Sequence, residues 1–440
     1  MLKKIIIFIL ILNFTYHLSA AENKVVTYSD CVQIALENNP QIKYMQETEK
    51  IYLSSLKKAE SSKTVQIDGS VSTSKGDVSG SEAIGSMALT AGIGITYGIF
   101  IPGRDTAIDL SKDAIYLNKL TGKIKLNEII FEVKQSYFNY IKAMNNAMLR
   151  KTILDKYSLV YRKNTIYFEA GNLRPYVYNT IEIQYNQLRL EYEIAVQDEK
   201  NARSALFLSM GISEPETEFV IDTNLTLPVF NLTYEQLERI SIILSPEISI
   251  AKMKREMARK TITSAREKRL PTVSTNAFAG FENGNAVDPY NTEDLSTRME
   301  VNNWSPVFGI TFSLAIPIYR GGAINSEIEK SISQYNQSVY DEKSVILKVN
   351  QSLLTNFEKL KFLKRQIEIS EKTLLNSKKN FELIEKSYNA GIADITDINT
   401  ANENLLQVET QNFSLKIDYL MTVTKIAHII GISEEELCSK

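Results

Sequence analysis

Residue types that carry chemistry are sparse in this 440-residue chain, and their spacing argues against catalysis. Of two histidines, His17 falls in the N-terminal leader, so His428 stands alone on an apolar stretch beside Ile426, Ala427, Ile429 and Ile430. A single imidazole in that setting reads as a packed helix residue. Cys31 and Cys438 lie at opposite ends, with no C-x-x-C and no zinc spacing. In an oxidising compartment they could pair if the termini meet, or stay unpaired structural thiols. Gly92-Ile93-Gly94 lacks the third glycine and the following helix of a phosphate loop, and it sits inside an alternating run. Without a triad, a metal cluster or paired catalytic carboxylates in a cleft, the expectation is a non-enzyme with no cofactor and no metal. Asp394 and Asp397 follow Gly391 at a spacing suited to capping a new helix.

Composition narrows the partners. The net charge is -2, and about -4 once Lys3 and Lys4 are removed, so no basic surplus exists to neutralise phosphates. Nucleic acid is not an expected partner. Lys3 and Lys4, an apolar run from Ile5 to Leu12, and small residues at Ser19, Ala20 and Ala21 make a signal peptide over 1–21. A run of about a dozen apolar residues is shorter than the roughly 20 that cross a bilayer as a helix. Past this leader no run has the apolar length of a transmembrane helix, so a membrane role needs strands.

The elements that would have to position any site come twice. Thr27-Tyr28, Pro40 and Ile42 return 206 residues later as Thr233-Tyr234, Pro246 and Ile248. Ala170-Gly171 and Gly211-Ile212-Ser213-Glu214 return at a spacing of 220 as Ala390-Gly391 and Gly431-Ile432-Ser433-Glu434. Two tandem copies are expected, over 22–216 and 233–440, with a linker at 217–232. Asn224 and Asn231, in that linker, head formal glycosylation triplets that read as chance.

Each copy reads as helix, strand, strand, very long helix, turn, helix. Between Ser86 and Ile99, bulky residues such as Leu89, Ile93, Ile95 and Tyr97 alternate with Thr90, Gly92, Gly94 and Thr96. Val307–Ile318 alternates likewise, with Phe308, Ile310, Phe312 and Leu314 against Gly309, Thr311 and Ser313. Weaker runs give strands near 65–76 and, with a blurred pattern, 272–284; the stronger ones span about 85–100 and 306–318. The stretches 75–85 and 282–303 read as watery loops. A soluble sandwich would also alternate, but it places charge on its outer face, and the two strong runs contain none. Four strands cannot close a barrel, and an open edge is forbidden in lipid because its N–H and C=O groups go unpaired. Closure then needs several chains. Three copies supply twelve strands, whereas eight would leave an interior filled with side chains.

The long helices are expected at about 104–168, 174–210, 323–388 and 394–430. The stretch from Ala323 to Tyr388 has neither proline nor glycine, and Arg104 to Phe168 has only Gly122. A helix of about 65 residues is on the order of 100 Å long. Apolar steps of three and four, as in Ile346, Val349, Leu353, Phe357 and Leu360, indicate coiled-coil packing. Extra apolar positions widen that stripe, so each helix touches neighbours on two sides, as a closed ring requires. Tyr167-Phe168-Glu169-Ala170-Gly171 before Pro175, and Tyr388-Asn389-Ala390-Gly391 before Asp394, read as hairpin tips.

The duplication, the strand exit Ile316-Pro317-Ile318-Tyr319-Arg320-Gly321-Gly322 and the tip from Tyr388 through Gly391 to Asp397 together make the mature chain resemble the TolC family of outer-membrane efflux proteins. The resemblance implies a mixed α and β membrane protein in the cell outer membrane: a homotrimer with a twelve-stranded transmembrane barrel and a periplasmic α-barrel of coiled-coil hairpins. It also implies docking to a periplasmic adaptor and to an inner-membrane pump or ABC exporter of type I secretion. In the family, a carboxylate six positions after the second tip glycine points into the constricted pore, which carries over to Asp397. Tyr388, Asp394 and Asp397 are therefore the gate candidates, with helix capping the competing role for both aspartates. The matching site in the first tip is Val177, and Ala393 and Thr400 leave fewer polar links, so the gate is expected to close by apolar contact. Gly171, Leu173, Gly391 and Ile392 are the expected adaptor-contact residues, or else plain turns. An exported coiled-coil spacer or adhesin without a pore is the alternative function.

Overall fold

The computed structural model describes residues 25–77, 85–213, 220–222, 226–286 and 304–439. The signal peptide 1–21, Asn224, and most of the expected loops 75–85 and 282–303 lie outside them. The chain forms β1 (Val25–Val26), α1 (Tyr28–Asn38), α2 (Pro40–Ser61), β2 (Gln66–Asp77), β3 (Gly85–Phe100), α3 (Arg104–Glu169), α4 (Pro175–Met210) and β4 (Val220–Ile221). It continues with α5 (Tyr234–Leu244), α6 (Pro246–Glu267), β5 (Thr272–Ala286), β6 (Trp304–Ala315), α7 (Ala323–Asn389), α8 (Ile395–Ile430) and α9 (Glu434–Ser439). Among the described residues no helix is long and apolar enough to cross a membrane. Two compact units form, one from 46–122 and 247–347, the other from 1–45, 123–246 and 348–440.

The first unit holds a four-stranded sheet of order β2-β3-β5-β6, antiparallel throughout. Because directly opposed residues share a face, the register sorts the side chains. Ile67, Ile95, Ala277 and Ile310 fall in one row, and Ile93, Ala279 and Phe308 in the next; Gln66, Thr96, Asn276 and Thr311 fall in a row on the opposite face. From Ile67 to Thr73, and in the stretches of β3, β5 and β6 beside them, the bulky face carries no charge; the register puts Lys75 and Asp77 in its rows only at the far end of β2. The small face carries Asp68 and Glu282. Phe278 is the large exception on that face and explains the blurred pattern of β5. Its ring lies where side chains at Gly92 and Gly280 would stand, 2.6 and 2.9 Å from its Cζ, so those two positions must be glycine.

The ladder of β6 ends at Ala315, short of the expected Ile318. Pro317 has no N–H to donate, and β5 begins only at Thr272, after Pro271, so nothing remains to pair with. At its other end β6 starts at Trp304, with Pro306 tolerated because this is an edge strand. Within the same unit Lys260–Asp113 joins α6 to α3, and Arg255–Glu342, at 2.8 Å, joins α6 to α7.

In the second unit the short helices start from matching boxes. Thr27 caps α1 with Asp30 reciprocating, and Thr233 caps α5 with Gln236 reciprocating. The linker expected at 217–232 is not structureless: β4 pairs in parallel with β1, Val25 opposite Val220 and Val26 opposite Ile221. Strands of two residues carry no periodic signal, so this pairing has no signature in the sequence. Around it lies a core containing Val133, Ile141, Leu206, Met210 and Leu420. Replacing Ile141, fully buried, by Ala costs about 2–5 kcal/mol at such a site. Lys134 is 4% exposed and ion-paired with Glu434 of α9, its ammonium 4.5 Å from the Tyr28 ring centroid. Cys31 and Cys438 are both free; burial pushes the Cys31 thiol up to about 12. His428 is packed on Phe131, ring centroids 5.4 Å apart. Burial lowers its pKa, reinforced by Lys425 and opposed by Glu128.

Candidate hairpin-tip site

All the expected site residues fall at two helical turns of the second unit. In the first, Gly171 takes φ 75°, its N–H donates to the Phe168 carbonyl and the Asn172 N–H to the Tyr167 carbonyl. Arg174 then occupies the cap position of α4 without a side-chain cap bond, and Pro175 starts the helix. Leu173 is half-buried against Tyr157, Ile181 and Leu188. Rings brace this turn: Phe168 and Tyr178 stack at 4.3 Å, and Tyr161 and Tyr185 at 4.6 Å.

The second turn repeats the backbone but not the bracing. Gly391 also takes φ 75°, its N–H donating to the Tyr388 carbonyl and the Ile392 N–H to the Ser387 carbonyl. Asp394 caps α8 by accepting from the Thr396 N–H at 2.7 Å, and Asp397 accepts from the Asp394 N–H at 3.0 Å. The capping role is therefore occupied, and both carboxylates remain exposed. Tyr388 packs beside Phe381, Ile398 and Ala401. Ile392 is 83% exposed, the outermost apolar group of the turn.

The two turns touch through residues the sequence did not single out. Ile395 packs into the Tyr157 cluster of the first hairpin and the Phe381 cluster of the second. Asn399 donates to the Tyr157 hydroxyl at 3.5 Å, Gln184 donates to Glu403 at 3.2 Å, and the Lys156 ammonium sits 4.7 Å from the Phe381 ring centroid. Burial raises the Tyr157 pKa, and the Asn399 bond opposes that. Asn399 and Glu403 are four apart, so they share one face of α8; that spacing is the only local hint of the contact. Among the described residues no group of three or more His, Cys, Asp or Glu could hold a metal ion.

A face-sorted sheet open at both edges and two long helical hairpins ending in glycine turns define a fold shared with solved outer membrane channels. Residues 240–432 match the family model of the outer membrane efflux protein. The chain is 23% identical over 363 residues to the outer membrane protein TolC of Escherichia coli, covering 80% of this chain and 71% of that one. The outer membrane channel CmeC of Campylobacter jejuni superposes with a TM-score of 0.71 at 19% identity, covering 92% of this chain and 85% of that one. The MtrE channel of Neisseria gonorrhoeae, in its open state, gives 0.72 at 17% identity, covering 92% and 89%. The likeness to the outer membrane efflux protein family is thus carried by residues 240–432, and the similarity to TolC extends over most of the chain. These relatives are, by their names, an outer membrane protein and two outer membrane channels.

Proposed function

We propose that the protein is the outer-membrane exit duct of a tripartite efflux pump or type I secretion system, a passive conduit driven by an inner-membrane partner through a periplasmic adaptor. The observation that carries this reading is the sheet register. In a single protomer Phe308, Phe312 and Ile310 are 84%, 74% and 70% exposed, an apolar surface that must be covered. The bulky face, uncharged from Ile67 to Thr73 and beside them, suits hydrocarbon, the small face with Asp68 and Glu282 suits water, and the unpaired edges β2 and β6 suit continuation into further copies. Three copies give a twelve-stranded barrel. Matching helix lengths support an internal duplication behind this design: 11 residues for α1 and α5, 22 for α2 and α6, 36 for α4 and α8.

Gating is assigned to the second turn. Three-fold symmetry would gather Asp397, with Asp394 and Tyr388 beside it, near the axis, where like charges favour cations. Closure rests mainly on the apolar Ile395 contact. The turn residues Gly171, Leu173, Gly391 and Ile392 face the adaptor, Ile392 foremost. Planar-bilayer recording tests the duct: the purified protein should give long-lived aqueous conductance, and Asp397→Ala should reduce cation preference. A folded protein that never conducts overturns the reading.

A further inference from the structure

Residues 62–65, 101–103, 268–271 and 316–322 join the four strands to α2, α3, α6 and α7. Together with the first turn of α3 and the last residue of α6 they set Lys63, Arg104, Lys268, Arg269 and Arg320 against only Asp105 and Glu267, at the end of the sheet where the bulky face carries no charge, away from Lys75 and Asp77. Two of these cations are engaged inside the unit. Lys63 pairs with Asp105 at 2.6 Å, and Arg104 Nη1 donates to the Gly98 and Ser62 carbonyls at 2.7 and 3.3 Å. The other three share one end of the sheet, because Thr272 pairs with Ala315 and so sets residues 268–271 beside 316–322. Arg269 donates to Asn325 at 2.9 Å, Lys268 reaches Glu327 only at 4.0 Å, and the Arg320 side chain forms no ion pair among the described residues. Beside them Ile318 and Tyr319 are 92% and 86% exposed, and Ile316 and Leu270 are exposed as well.

Cations next to exposed aliphatic groups and a tyrosine match the boundary between phosphate and hydrocarbon in a bilayer. A guanidinium binds phosphate through two parallel N–H bonds, and an ammonium adds a point charge. We propose that Lys268, Arg269 and Arg320 form a site for the phosphate of an anionic phospholipid, whose chains lie against Ile316, Ile318 and Tyr319 in continuity with the bulky sheet face. This rests on that face meeting lipid. The site pins the depth of the barrel at its helix-side rim.

Native mass spectrometry of the detergent-solubilised protein tests it, with phosphatidylglycerol and phosphatidylcholine of equal chain length as probes. Retention of phosphatidylglycerol should exceed that of phosphatidylcholine. The triple variant Lys268→Gln, Arg269→Gln, Arg320→Gln should weaken it on the order of a hundredfold, from roughly fivefold per basic residue. A control triple on α7, Lys359→Gln, Lys364→Gln, Lys372→Gln, should leave it unchanged. Millimolar inorganic phosphate should not compete, which separates a lipid site from one for free phosphate. Equal retention of the two lipids, or unchanged retention by the first triple, overturns the proposal. So does a variant that loses its oligomer while keeping its lipid, since that would assign the patch to a second copy of the chain. Conductance of the same preparations tests the duct separately, so a failed titration beside an intact conductance overturns the lipid site alone.

Discussion

The two helical turns share a backbone and differ in what holds them. Gly171 and Gly391 have the same φ of 75°, and each is followed by a long helix of 36 residues. The first turn is braced by stacked rings and begins its second helix without a side-chain cap; the second has the carboxylate box of Asp394 and Asp397. Among the described residues the second turn shows no ring pair. Apolar packing and local hydrogen bonds are thus alternative ways to fix one geometry. They differ in consequence, because a capping box leaves its carboxylates exposed, whereas stacked rings bury their surface against their own hairpin.

The largest expected effect that could break this contrast is at Tyr157, 2% exposed in the centre of the first cluster. Tyr157→Ala should cost about 3–5 kcal/mol. Hydrogen exchange should show protection lost over roughly 150–190 far more than over 381–405; equal loss would mean the hairpins are not separately braced. Next, Asp394→Ala should lower stability by about 1 kcal/mol through the lost cap, while Arg174→Ala, at the matching position, should be nearly neutral. Equal effects in thermal unfolding would erase the difference between the turns. A smaller coupling, about 0.5 kcal/mol, is expected between Tyr157→Phe and Asn399→Ala in a double-mutant cycle, given a bond at the 3.5 Å limit. The smallest effect concerns the packing of α8 on α3 away from the turns. His428 is held neutral by burial, so its contribution is full above its unfolded pKa of about 6.5 and falls as pH drops below it. Stability of His428→Phe should lose that part of the pH dependence; an unchanged profile would place the titration elsewhere.

Much of this arrangement was legible in the residues, for physical reasons that also mark the limits. Alternation in β3 and β6 is clear because one face had to be apolar throughout, and it blurs in β5 where Phe278 crosses to the glycine floor of the small face. The long helices stand out by their lack of breakers, and Gly122 sits inside α3 with open space where a side chain would be. The Asp394–Asp397 cap was legible because both partners lie within one turn. Tyr157 with Asn399 was not, since the contact joins residues 242 apart and depends on how two hairpins pack. The β1–β4 pairing failed to show for the same reason, with strands too short to have a period.

The most direct measurement of the central claim is aqueous labelling of single cysteines placed along the sheet, in a protein with Cys31→Ser and Cys438→Ser, reconstituted in vesicles. Ser70→Cys, Thr96→Cys and Thr311→Cys should react with a membrane-impermeant maleimide, while Ile93→Cys, Phe308→Cys and Ile310→Cys should be shielded and accessible only to a lipid-soluble reagent. Equal labelling of both sets would contradict a sheet with one face in water and the other in hydrocarbon.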